Sequence, residues 1–158
     1  MQLFVLALLG GLMSHPDLGL ALELPEGWRL ERDCGVFVSG AALCRQGDRL
    51  TACSPTAVCP ERVGVLWVRA PAVLASLDDE KRELQERDDG GASWASSRAL
   101  PDGWVLTWGG PRWPDSYPFK VSRRVGARVI ECSGEATTLA GQEQMIAACK
   151  SLREVPRR

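Results

Sequence analysis

The stretch ARVIECSGEATTLAGQEQMIAACKSL, residues 127–152, decides the fold. Its opening residues, ARVIEC, read as an apolar strand that ends on Cys132. A helix follows, capped by Thr137 or Thr138. In it Leu139, Met145, Ile146, Cys149 and Leu152 fall on roughly one face. A strand and a helix so patterned pack with both sulfurs on the buried side. This predicts a Cys132–Cys149 disulfide, which constrains the unfolded chain by about 3 kcal/mol on the loop-entropy argument. Just upstream, YPFKVSRRV predicts the partner strand of a hairpin that turns near Gly126.

Working outward, Trp104, Leu106 and Trp108 alternate with Val105 and Thr107, the period of a strand with one buried face. In VGVLWVRA (63–70), Val63, Val65 and Trp67 line one face and Leu66 and Val68 the other, so this strand is central. Weaker strands are expected around 28–33, 35–39 and 48–53. LPEGWRL (24–30) and LPDGWVL (100–106) echo one another. Each reads as a type I turn delivering a Trp into a strand, without domain duplication. SLDDEKRELQER predicts a first helix over 76–88, with Ser76 as cap, acids in its first turn and Gly90-Gly91 as its stop. Its apolar face is thin, mainly Leu77 and Leu84, so it belongs on the surface. The second helix spans 139–152. GGPRWPDSYP is an irregular loop. The expected class is α+β: a twisted, mainly antiparallel sheet with two helices, stapled by disulfides.

With 158 residues the chain has one domain's worth of sequence, and 45% hydrophobic with 25% charged residues is ordinary for a folded protein. The formal net charge is −1, so no global field favours nucleic acid or an anionic membrane. Arg dominates the basic residues, which a GC-rich genome explains without any anion-binding role.

Leu3 to Met13 is apolar but too short to span a bilayer, and it suits the core of an export signal. Ser14 to Ala21 continue it as a polar end containing Pro16. Gly19 and Ala21 supply the small residues for a cut before Leu22. The segment lacks an initial Lys or Arg, and the competing reading is a buried N-terminal helix or strand. The expected organisation is a signal peptide at 1–21 and a single domain at 22–158, in the periplasm or secreted. Asp33 before Cys34 argues against lipidation, and no other apolar run is long enough for a membrane helix.

Six cysteines in an exported chain read as disulfides. The preferred pairs are Cys34–Cys44, Cys53–Cys59 and Cys132–Cys149. Zinc knuckles space their cysteines more tightly, and the only His, His15, falls within the export signal. No thioredoxin-like pair is present. Neither a metal nor a cofactor is expected.

Without a His in the mature chain, Ser-His-Asp and Cys-His chemistry have no base. No glycine-rich phosphate loop occurs. Among 20 acids a carboxylate pair could assemble in space, which leaves a glycosidase-like hydrolase as an alternative. Lys120, Arg123, Arg124 and Arg128 mark a basic hairpin, although Arg123 and Arg124 point to opposite faces. The candidate binding residues are therefore Arg124, Trp113 in the proline-rich loop, and Ser54, Pro55, Thr56 and Ala57 between Cys53 and Cys59.

The run GWVLTW…YPFKVSRRVGARVIECSG…AACKSLR resembles the endings of small exported bacterial proteins of the PsbP-like type, over about residues 100–153. The resemblance implies an α/β/α sandwich and a non-catalytic binding or assembly role. ACSPTAVCPERVGVLW (52–67) is similar to the segment of periplasmic lysozyme inhibitors in which a disulfide-closed loop plugs the enzyme's cleft. That family's loop, Cys-Lys-Pro-His-Asp-Cys, has four residues between its cysteines and an inhibitory His. Here there are five and no His. The expectation is a non-enzymatic binding protein whose partner is another protein or a cell-envelope component. The alternative is an inhibitor or immunity protein acting through the 53–59 loop.

Overall fold

The computed structural model describes residues 11–15, 19–31, 36–38, 41–43, 49–53, 65–87, 92–111 and 114–156. In chain order the strands and helices are β1 (Gly11–His15), β2 (Leu20–Leu24), β3 (Arg29–Glu31), β4 (Val36–Val38), β5 (Ala41–Leu43), β6 (Arg49–Cys53) and β7 (Val65–Arg69), then α1 (Leu77–Glu86), β8 (Trp94–Leu100), β9 (Gly103–Gly109), β10 (Tyr117–Val125), β11 (Arg128–Ala136), α2 (Leu139–Lys150) and β12 (Arg153–Glu154).

The centre is an antiparallel meander in the order β11-β10-β9-β8. β7 lies alongside β11 and pairs on its other side with β6, which pairs with β3. The expected hairpin is present: Val125 faces Arg128 in register, and Gly126 turns at φ +60°. A side chain at Gly126 would meet the carboxylate of Glu154, so glycine serves both the turn and the packing.

Strand alternation sends side chains to two faces, and each face receives one helix. Val105, Phe119, Val121, Ile130 and Cys132 meet Met145, Ile146 and Cys149 of α2, and Leu152 just beyond it, in the main core. Trp104 and Leu106 point the other way and pack with Leu84 of α1. The result is an α/β/α sandwich. As its thin apolar stripe predicts, α1 buries only Leu84. It is held also by an ion pair between its Glu80 and Lys120 of β10, and the Trp104 indole nitrogen donates to the Ala75 carbonyl at 3.0 Å. Ser76 occupies the cap position but makes no side-chain cap bond. Thr138, by contrast, accepts from the Gly141 N–H at 3.0 Å and caps α2.

Cys132 and Cys149 form the expected disulfide, with Cα atoms 5.7 Å apart. Cys34, Cys44 and Cys59 lie outside the described residues, and Cys53 is described only as the end of β6, so their expected pairings do too. Leu139 departs from expectation: it is 59% exposed. The polar Gln142 is buried instead, and its amide donates to the Pro118 carbonyl at 3.0 Å.

The two echoing motifs do different work. LPDGW is a two-residue hairpin in which Leu100 faces Gly103. LPEGW turns between β2 and β3, where the Trp28 N–H donates to the Pro25 carbonyl at 3.2 Å and Gly27 takes φ +80°. A positive φ at that place makes it a type II turn rather than the expected type I.

β2 is the strand of the competing reading, in which the N-terminal segment is buried rather than part of an export signal. Leu20, Leu22 and Leu24 alternate into the main core, with Leu20, Ala21 and Leu22 fully buried. β2 pairs with β1 and with β12, and the Val155 N–H donates to the Gly19 carbonyl at 3.0 Å. The expected export boundary before Leu22 therefore falls inside this strand.

Candidate functional site

An open cleft lies between the end of β2 and α2. Glu23, Leu24 and Pro25 at the end of β2 form one side. Gln144, Ala147, Ala148 and Ser151 form the other, a stripe along the later turns of α2. On the α2 side the wall is made of the small Ala147 and Ala148 and the polar Gln144 and Ser151. Ser151 closes one end: its hydroxyl accepts from the Glu23 N–H at 2.7 Å and donates to the Ala148 carbonyl at 2.7 Å. Glu23 and Arg153 approach to 3.6 Å on the rim; both are largely exposed, so the pair contributes little to stability.

The volume is about 200 Å³. Pockets for small-molecule ligands run from about 300 to 1,000 Å³. A cleft of this size, with an apolar floor and the polar groups of Glu23, Gln144 and Ser151 around it, accommodates one side chain and adjoining backbone.

Two buried or half-buried acids lie on the α1 side of the sheet. Glu131, 5% exposed, receives the Arg69 guanidinium from β7. Glu80 pairs with Lys120. Each carboxylate therefore faces its own cation. Among the described residues no group of His, Cys, Asp and Glu gathers at metal-binding distance.

Of the residues selected from sequence, Arg124 is exposed near the end of β10, and its N–H donates to the Asp102 carbonyl at 2.8 Å. Its neighbour Arg123 points to the α2 side, where it binds Asp102 and the Lys150 carbonyl. Lys120 is engaged by Glu80. The basic hairpin is thus not a single patch. Ser54, Pro55, Thr56, Ala57 and Trp113 lie outside the described residues. Sequence reasoning missed the cleft. Its signal is the Ala147-Ala148 pair inside an otherwise bulky helix face, opposite a strand that reads as part of a leader.

No family model matches the chain, and no curated protein matches it. Among solved structures it is similar to the solution structure of cyanobacterial PsbP from Synechocystis sp. PCC 6803, with 14% identity over 91% of each chain and a TM-score of 0.52. At that identity the likeness shows the fold. It extends the PsbP-like resemblance from the C-terminal third to nearly the whole chain. No described helix is long and apolar enough to cross a membrane.

Proposed function

We propose that this chain is an exported, non-catalytic binding protein that docks another protein, or a protein of the cell envelope, through the cleft between β2 and α2. The observation that carries this reading is the cleft itself, whose volume of about 200 Å³ suits an inserted side chain and is small for a substrate. The PsbP-like fold supports a binding role, and the Cys132–Cys149 disulfide accords with an oxidising compartment. Glu80 and Glu131 each face a cation, Lys120 and Arg69, which weighs against these two acids acting together on one bond as a hydrolase pair does.

The test fills the cleft. Ala147 is exposed on α2, so Ala147→Trp adds bulk to the cleft wall without entering the core. Affinity capture from the envelope of the native host is compared for the wild type, Ala147→Trp and Cys53→Ser. The expected result is one partner captured by the wild type and by Cys53→Ser, and lost in Ala147→Trp at unchanged thermal stability. Capture that survives Ala147→Trp but is lost in Cys53→Ser would replace this reading with the inhibitor reading, in which the 53–59 loop inserts into a hydrolase or toxin.

A further inference from the structure

β8 is the terminal strand of the meander, and no described strand pairs with its outer edge. Proteins usually blunt such an edge with Pro, Lys, a bulge or a short strand. β8 has none of these. It runs seven residues, WASSRAL, and pairs one-to-one with β9 without a skipped position. Its single charge, Arg98, is turned onto α2, where it forks onto Glu143 at 3.1–3.2 Å. Among the described residues, no strand, proline or lysine guards the backbone edge of β8.

Two large apolar side chains are exposed on β8 and on α2. Trp94, at the start of β8, is 47% exposed, and Leu139, one helical turn before Glu143, is 59% exposed. Trp94 is held in position by Gly109, where a Cβ would come within 2.6 Å of the ring. On the α1 side the strand presents only Ala95, Ser97 and Ala99, which leave the approach open.

We propose that β8 pairs antiparallel with β8 of a second copy of this chain, about a two-fold axis at Ser97. The sequence is self-complementary in that register. Trp94 meets the partner copy's Leu100, Ala95 meets Ala99, Ser96 meets Arg98, and Ser97 meets itself. In that register the large residues, Trp94 leaning over Gly109 and Leu100 leaning on the main core, share the α2 face, and small residues meet on the α1 face. The Arg98–Glu143 forks of the two copies come side by side on one face as alternating charges, so no cation lies directly opposite another. The cleft between β2 and α2 takes no part in this interface, and the proposal stands independently of it.

Two paired edge strands make a small interface, so dissociation is expected at roughly tens to hundreds of micromolar. Sedimentation velocity of the oxidised full chain, from low micromolar to near-millimolar concentration, should show a monomer–dimer equilibrium. Ser97→Lys places like charges opposite each other and should weaken the dimer at least about tenfold, with unchanged thermal stability. Opposed antiparallel residues have Cα atoms about 4.5–5.5 Å apart, within disulfide range. Ser97→Cys should therefore give a covalent dimer on mild oxidation, and Ala127→Cys, exposed at the β10–β11 turn, should not. A monomer at every concentration overturns the proposal. So does a dimer that is unaffected by Ser97→Lys and does not cross-link through Ser97→Cys.

Discussion

The carboxylate of Asp102 lies 2.7 Å from the guanidinium of Arg123, and the same guanidinium donates to the carbonyl of Lys150, the last residue of α2. Asp102 belongs to the LPDGW hairpin and Arg123 to β10. The pair therefore joins a turn, the central sheet and the negative end of the α2 dipole. Both side chains are largely covered, at 32% and 19% exposed, so solvent screening is limited. Asp102→Asn should cost about 2 kcal/mol in denaturant unfolding. Arg123→Lys should not restore the loss in the double variant, because a single ammonium cannot hold both partners with a guanidinium's geometry. Wild-type stability in Asp102→Asn would remove this link from the account.

Cys132 and Cys149 close a loop with a sequence separation of 17. The double variant Cys132→Ala, Cys149→Ala should unfold about 3 kcal/mol more easily than the oxidised wild type. Both residues are buried in the main core, so part of that loss comes from packing. The reduced wild type, which keeps both sulfurs, separates the two contributions. A reduced wild type as stable as the oxidised form would contradict the staple.

The N-terminal strand gives a sharper test. A chain beginning at Gly19 retains Leu20, Ala21 and the pairing of β2 with β12, whereas one beginning at Leu22 loses them. Removing a buried Leu costs about 3 kcal/mol, and the lost pairing adds to it. The Leu22 chain should melt well below the Gly19 chain. N-terminal sequencing of protein recovered from its host should accordingly find residue 19 or an earlier one at the start. Equal melting of the two chains would show that Leu20 is not needed in the core.

The second half of the fold was legible because its signals are local and strong. The hairpin turn at Gly126, the strand through Cys132 and the helix ending past Cys149 each follow from pattern and spacing, although that strand runs on past the expected end at Cys132 to Ala136. β8 was missed because it is an edge strand: WASSRAL has few β-branched or aromatic residues and no clean alternation, since its burial alternates only between exposed and half-exposed. β2 took second place to the export signal for a different reason. Leu20, Leu22 and Leu24 follow directly on an apolar run, and an apolar run near an initial Met suits an export signal as well as a strand. Leu139 is exposed although it falls on the expected face, and the buried face includes the polar Gln142, which supplies a donor for the Pro118 carbonyl. The cleft was missed because it is a gap between distant segments, and its one local signal, the Ala147-Ala148 pair, does not say what lies opposite.

The most direct test of the binding account is site-specific photo-crosslinking in the envelope of the native host, with a benzophenone side chain placed at Gln144 on the cleft rim. The account predicts one discrete cross-linked protein, abolished by Ala147→Trp. No adduct from Gln144, together with a discrete adduct from the same probe at Ala57, would contradict it.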